Sequence, residues 1–362
     1  MNYVIIQKSK FTQVPPVIST IKLLVELGHE VTIIDEYISD YWKDELNKWG
    51  VKYYEIPKTN SESVIGKLIA YYKFRRKTLR LLNKIYSEDP NRILWIEGAY
   101  TMISLGKAIK KYRYILYIVE LNDKFKLQMR AVKKLIYDAE LVIMPEYHRT
   151  ILYQVWFGLK KRPAVLSNKP YFIPSNEELN IIAKNYQKEL EVFSKKKVIL
   201  YQGKVHPERD LSPFLKAISN LGDEYQVVIL GDTHPILSQY KRILPSLIHI
   251  NFIPAPDYLV FTRMCYLGIV TYDPLEFNTT FCAPNKIYEY ACFGKPMIGN
   301  DIPGLKIVED GGAGLLVDES NVEEIQNAIT IVNDNYNDFS QKARKFYQDT
   351  DNKSVLKKTL KL

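Results

Sequence analysis

Short apolar runs recur along this 362-residue chain, and none of them alternates with polar residues. In the first half they are YVII from Tyr3, VTII from Val31, ILWI from Ile93, YILYIV from Tyr114 and LVIM from Leu141. In the second half they are VILY from Val198, VVIL from Val227, IHINF from Ile248, LGIVT from Leu267, PMIG from Pro296 and GLLV from Gly314. Runs this short, rich in Val and Ile and lacking a polar face, fit strands covered on both sides. Longer amphipathic segments separate them, such as 15–28 and 210–222, and these fit crossover helices. Strand and helix in alternation predict an α/β chain with parallel, doubly wound sheets.

The pattern occurs twice, and the chain is too long for one ordinary core. SNKPYFIPSNEELN at 167–180, rich in Pro, Asn and Ser, separates the two series, and a charged, helix-like segment follows it. The expected division is therefore a Rossmann-like domain at 1–166, a linker at 167–190, a second Rossmann-like domain at 191–340 and a C-terminal helix that frays into a tail at 341–362. Two such domains facing each other leave a cleft, and ligands of such sheets bind at the carboxyl ends of the strands.

Composition is globular, with 46% hydrophobic and 25% charged residues. The three cysteines, Cys265, Cys282 and Cys292, show no paired metal spacing and read as buried free thiols of a reducing compartment. No stretch approaches the length of a membrane span, and MNYVIIQKSK reads as a first strand rather than a signal peptide. A cytoplasmic protein is expected. The net charge of +9 is unevenly spread: residues 67–84 hold seven basic residues and no acid. KAIKKYRY and KFKLQMRAVKK continue the theme to Lys134. Tyr, Phe, Leu and Ile interleave with these charges at helical spacing. That suits contact with a membrane surface, and it suits equally a helix packed on a sheet.

Chemistry concentrates in two stretches. APNKIYEYACFGKPMIGNDIPG at 283–304 predicts a helix from Pro284 to Phe293, with Pro284 at its first position. Gly294 stops that helix and Pro296 forbids its continuation. Its free N–H groups, with Asn285 and Lys286 in the first turn, make an anion site suited to phosphate. Glu289, one turn on, can accept hydrogen bonds from vicinal hydroxyls such as those of a ribose. The plain alternative is an amphipathic helix with surface charges. VILYQGKVHPERDL sets Gly203 directly after a strand, followed by Lys204 and then Arg209. The glycine permits close backbone approach and the two cations can neutralise a diphosphate, the alternative being a basic surface loop.

With these stretches in order, the second half resembles the nucleotide-sugar-binding domain of GT-B fold glycosyltransferases, and more narrowly the family-four group that holds many bacterial cell-surface enzymes. YQGKVHPERDL, VVILGDTHP, INFIPAPDYLVFTRMCYLGIVTYDP and the 283–304 block follow one another in the family's order. The first half matches in architecture only. The resemblance implies that Gly203, Lys204 and Arg209 form the diphosphate loop. Phe252, Ile253 and Pro254 would lie along the base, Asn285 and Lys286 would begin the diphosphate-facing helix, and Glu289 would bind the nucleotide ribose. Two positions depart from the family. Phe281 stands eight residues before Glu289, where a glutamate near the transferred sugar is usual, which shifts sugar contacts toward Asn278, Thr279 or Thr280. The first loop, SKFTQVPPVIS, has no glycine, although Pro15 and Pro16 can end it and open a helix.

On the acceptor side, YIVELNDKF follows a long predicted strand, which would project Glu120, Asn122 and Asp123 toward the cleft. An acid there can orient an acceptor hydroxyl or take its proton, while a helix cap is the competing reading of Asp123. Glu146 and His148 mark another strand end. None of the five histidines forms a metal-like pair, and the one Asp-x-Asp, Asp349 to Asp351, lies in the tail, so no catalytic metal is expected. No Gly-x-Gly-x-x-Gly follows a strand, which argues against a dinucleotide dehydrogenase.

The resemblance thus implies a cytoplasmic glycosyltransferase of hexosyltransferase type, retaining and metal-independent, in cell-surface polysaccharide synthesis. It would use a nucleoside diphosphate sugar, with UDP as the family's usual nucleotide, and no further cofactor. Its acceptor would be a saccharide or a lipid-linked saccharide at the inner membrane face, with the basic first half touching the membrane and no nucleic-acid partner. A catalytically silent nucleotide-sugar-binding partner of another enzyme, and a sugar-nucleotide epimerase of the same fold, are the alternatives.

Overall fold

A computed structural model describes residues 1–9, 15–58, 63–171 and 173–361. The chain forms two compact units, Met1–Phe172 with Asn352–Leu362, and Ile173–Asp351. Residues 10–14 of the glycine-free first loop lie outside the described residues.

The strands of the first unit are β1 (Asn2–Gln7), β2 (Glu30–Asp35), β3 (Lys52–Glu55), β4 (Ile93–Glu97), β5 (Tyr114–Tyr117), β6 (Leu141–Met144) and β7 (Ala164–Val165). They form one 7-stranded sheet in the order β3-β2-β1-β4-β5-β6-β7, with every neighbouring pair parallel. Parallel neighbours require crossovers, and helices such as Pro15–Glu26, Val64–Glu88 and Lys126–Leu135 supply them. Trp95 lies at the centre of the core and meets the ring edges of Tyr3 and Tyr117, with centroids 6.5 and 6.1 Å away. Every first-half run expected to be a strand is one. Two edge strands carry no such run: β3 reads KYYE, exposed at both ends because it closes the sheet, and β7 has only two residues.

The second unit contains β8 (Lys197–Gln202), β9 (Tyr225–Leu230), β10 (Ile248–Ile250), β11 (Leu267–Val270), β12 (Met297–Asn300) and β13 (Gly314–Val317). They form a 6-stranded parallel sheet in the order β10-β9-β8-β11-β12-β13. The winding reverses between β8 and β11, so their carboxyl ends flank the position where such sheets bind ligands. Both sheets are doubly wound and Rossmann-like, as the alternation of runs predicts.

The segments around the unit boundary differ from the expected linker and fraying tail. Within 167–190 the chain forms the helix Asn176–Ala183, a turn at Lys184–Tyr186 and the start of the helix Gln187–Lys195. Leu179, Leu190 and Phe193 bury themselves in the second unit's core, so this stretch is packed structure. The tail is ordered too. The helix Tyr336–Asp349 packs Ala343 and Phe346 into the second unit. The last helix, Asn352–Leu360, belongs to the first unit: Leu356 is buried in its core, Asn352 Nδ2 donates to the Ser167 carbonyl at 2.7 Å, and Lys353 pairs with Glu26 at 3.1 Å.

Candidate active site

The helix Asn285–Cys292 carries the first set of expected site residues. Pro284 is its N-cap, in extended conformation, one residue earlier than the expected first helical position. Its fixed φ tolerates both places, and as cap it leaves the Asn285 and Lys286 N–H groups at the open end. The helix stops abruptly because Gly294 adopts φ +65, with its N–H on the Ala291 carbonyl and the Lys295 N–H on the Tyr290 carbonyl. Lys286, Ile287, Tyr288, Glu289, Tyr290 and Ala291 are all buried, which rules out the surface-helix alternative. Close approach to the sheet comes from a glycine in the strand opposite. A Cβ on Gly268 of β11 would lie 2.6 Å from the Tyr290 ring, whose hydroxyl donates to the Leu200 carbonyl at 2.8 Å.

Glu289 is held by two donors, the Tyr258 hydroxyl at 2.5 Å and Gln202 Nε2 at 2.6 Å. Thr262 fixes Gln202 in turn, its hydroxyl donating to Oε1 at 2.6 Å. Burial raises the Glu289 carboxyl above the usual range, against the pull of the Tyr258 hydrogen bond, the Lys286 charge and the Gln202 hydrogen bond. Lys286 is 7% exposed, and its Nζ has no hydrogen-bond partner. The ammonium sits 4.4 Å from the centroid of the Tyr201 ring and 5.6 Å from that of Tyr272. Burial, reinforced by the charge of Arg209, holds it well below the usual lysine range, with Glu289 opposing.

Gly203 closes the arrangement. It leaves β8 at φ +129, and a Cβ there would stand 3.2 Å from Lys286 Nζ. Loop and helix start therefore meet at one point, at the carboxyl end of β8 beside β11. A cavity of about 300 Å³ opens there, lined by Gly203, Lys204, Ile253, Asn285, Lys286 and Glu289 among the expected residues. Two expected donor residues stand outside its lining. Arg209 stacks its guanidinium 4.7 Å over the Tyr272 ring, with Nη1 3.7 Å from where a Cβ on Gly203 would stand, and Pro254 is exposed while Phe252 and Ile253 take the wall. Gln202, Gly231, Asp232, Tyr258 and Tyr272 also line the cavity and were not anticipated. The signal for Gln202 and Gly231 was present, since each breaks or follows an apolar strand run at its carboxyl end. Tyr258 gives no comparable cue.

Phe281 is half-buried and stacks on Phe277 with centroids 6.3 Å apart. Asn278, Thr279 and Thr280 form with Phe277 a short helix, Phe277–Thr280, in which Thr279 and Thr280 donate their hydroxyls to the Glu276 and Pro274 carbonyls.

The expected acceptor-side residues belong to the first unit, just after β5. Glu120 is exposed and lies 3.7 Å from the buried Arg149. Asn122 adopts φ +61 and donates its Nδ2 to the Glu120 carbonyl at 2.5 Å. Asp123 is half-buried beside them. Glu146 is occupied in capping the helix Tyr147–Phe157, accepting from the His148 and Arg149 N–H groups at 2.9 Å each. None of the three cysteines forms a disulfide; Cys265 and Cys282 are buried and Cys292 is half-buried rather than buried. Among the described residues no three His, Cys, Asp or Glu side chains cluster as a metal site.

Residues 196–335 match the model of the glycosyl transferases group 1 family. The whole chain superposes on HepE of Anabaena in complex with UDP and glucose at a TM-score of 0.72, with 14% identity over 100% of this chain and 98% of that one. The chain has the GT-B glycosyltransferase fold. A glycosyltransferase from Rickettsia africae shares this GT-B architecture at a TM-score of 0.68 and 16% identity, over 99% of this chain and 97% of the other. The lipopolysaccharide outer core galactosyltransferase WaaB, in its apo form, does so at 0.64 and 16% over the full length of both chains. Comparison with curated protein sequences finds no significant match to this GT-B chain.

Proposed function

We propose that the protein is a glycosyltransferase that moves a sugar from a nucleoside diphosphate sugar, with UDP as its nucleotide, to a hydroxyl of a saccharide or lipid-linked acceptor. The observation that carries this reading is the buried Lys286 ammonium, without a hydrogen-bond partner, beside the Gly203 loop and one helical turn from a buried Glu289. A buried cation without a partner is costly, and a diphosphate supplies both the charge and the acceptors it lacks. HepE, which shares the fold, has been captured with UDP-glucose and with UDP and glucose.

In this reading the bond between the anomeric carbon and the diphosphate oxygen breaks as the acceptor oxygen bonds to that carbon. The acceptor proton passes to the departing diphosphate, and configuration is retained. Charge gathers on the leaving group, where Lys286, Lys204, Arg209 and the N–H groups at the helix start stabilise it without a metal ion. Glu289 holds the ribose hydroxyls, and Ile253 with Phe252 lies along the base. Glu120, Asn122 and Asp123 of the first unit are assigned to the acceptor. The product would enter a cell-surface polysaccharide, made in the cytoplasm at the inner membrane face; the apo WaaB structure belongs to a galactosyltransferase of the lipopolysaccharide outer core.

Phe281 favours a second reading, a nucleotide-sugar-binding partner without turnover, because its packing on Phe277 leaves no carboxylate at that position. A panel of nucleoside diphosphate sugars decides between the two. Thermal stabilisation by one of them, with release of UDP and transfer to cell-envelope acceptors, supports the enzyme. Stabilisation without turnover supports the silent partner, and stabilisation by none sinks both.

A further inference from the structure

The helix Val64–Glu88 carries apolar residues on two nearly opposite sides. One side is core: Phe74, Thr78, Leu82 and Ile85 are buried in the first unit. The other begins earlier and faces solvent. Ile65 is 72% exposed, Leu68 62%, Ile69 46% and Tyr72 63%. Their spacing puts these four on one face of the first two turns. Arg76 and Arg80 continue that face at the next turns, both exposed, and Lys73, Lys77 and Lys84 flank it. From Gly66 to Ser87 the helix has no acidic residue, so no cation on it is neutralised from within.

A neighbouring element repeats the pattern. The helix Gly98–Leu105 packs against Val64–Glu88 and against Lys126–Leu135. At the start of the latter, Phe125 and Leu127 are 57% and 58% exposed, next to exposed Lys126 and Arg130. Two helices on one side of the sheet thus present aliphatic and aromatic side chains set among basic ones.

We infer that this face docks on an anionic lipid surface, with Ile65, Leu68, Ile69 and Tyr72 entering the headgroup and acyl boundary while Arg76 and Arg80 bind lipid phosphates. A bilayer interface offers both environments at once. A nucleic acid would satisfy the cations and leave the apolar stripe in water. A protein partner would need its own apolar surface ringed with acids. The helix lies along the surface, since its basic residues interrupt any apolar length, and no described helix is long and apolar enough to cross a membrane. The docking gives the proposed lipid-linked acceptor its location, and vesicle binding can be read without any sugar nucleotide, so its failure leaves the donor assignment standing.

The test is co-sedimentation of the full chain with phosphatidylcholine vesicles, with and without phosphatidylglycerol, at low and high salt. Binding to the anionic vesicles alone, weakened by salt, is the expected result. Ile65→Ser with Leu68→Ser should lower the partition coefficient roughly tenfold or more. Arg76→Gln with Arg80→Gln should lower it and flatten its salt dependence. The far-ultraviolet circular dichroism and thermal unfolding midpoint should stay unchanged in both variants, which shows that they fold. Absence of binding to anionic vesicles overturns the inference. So does full binding by the serine variant, or loss of self-association or nucleic-acid binding, rather than vesicle binding, in either variant.

Discussion

Lys286 and Glu289 lie one turn apart on the buried side of the helix Asn285–Cys292, and burial displaces their proton affinities in opposite directions. The carboxylate has two hydrogen-bond donors; the ammonium has only the faces of Tyr201 and Tyr272. Protein groups therefore satisfy the carboxylate and leave the ammonium without a hydrogen-bond acceptor.

Replacing Lys286 should uncouple stability from binding. Lys286→Met keeps the volume and removes a buried amine that has no hydrogen-bond partner, so thermal unfolding of the free protein should move up or stay level. UDP affinity should fall by about 1–3 kcal/mol with the loss of a charge-assisted hydrogen bond. Calorimetry on the two proteins measures both, and a Met variant that binds UDP as tightly as the parent would falsify the phosphate role.

The same lysine predicts a pH dependence. Its folded pKa lies below the unfolded value, so between the two the unfolded chain binds more protons and the Lys286 contribution to stability rises with pH. Diphosphate binding restores the charge and must take up a proton in that window. UDP affinity should then decline as pH rises through the displaced pKa. Titrations in buffers of differing ionisation enthalpy report the uptake, and Lys286→Met should abolish it.

Glu289→Ala should weaken UDP binding by about 1–3 kcal/mol if a ribose hydrogen bond to this carboxylate is lost. The discriminating control is deoxyuridine diphosphate lacking the 2′-hydroxyl. If Glu289 holds that hydroxyl, the parent should discriminate against the deoxy ligand and the alanine variant should not. Equal discrimination by both would remove Glu289 from the ribose.

Gly268→Ala tests the packing that sets the helix against the sheet. The added methyl meets the Tyr290 ring, and overpacking of this kind costs about 1–3 kcal/mol. The loss should appear in chemical denaturation. Gly268→Ala with Tyr290→Phe should not recover it, because the ring rather than its hydroxyl collides.

The donor-side motif was legible in the sequence because it is local. Gly203, Lys204, Lys286 and Glu289 each sit within a few residues of a strand end or a helix start, where apolar runs and Pro or Gly punctuation fix the geometry. The partners of Glu289 were not legible. Gln202 and Tyr258 reach it from two separate segments, with Thr262 holding Gln202 in turn, and nothing in one segment announces the other. Arg209 is assigned to the diphosphate from its place in the loop; its guanidinium stacks on Tyr272, and its Nη1 lies 3.7 Å from where a Cβ on Gly203 would stand. Periodicity also left the basic segment at 67–84 open between a packed helix and a membrane face. The helix has two apolar stripes, one buried in the first unit and one exposed ahead of Arg76 and Arg80. Edge strands such as β3 escaped because a half-exposed strand has no continuous apolar run.

The helix Asn352–Leu360 has a consequence for biosynthesis. Leu356 fills the core around Trp95 and Tyr3, which the ribosome makes some 260 residues or more before it. As the chain emerges, the first unit waits with part of its apolar interior uncovered while all of Ile173–Asp351 is translated. The second unit has its whole sequence in hand sooner after its own synthesis begins. Synthesis of Asn352–Leu360 is therefore the event that lets the amino-terminal sheet complete its interior.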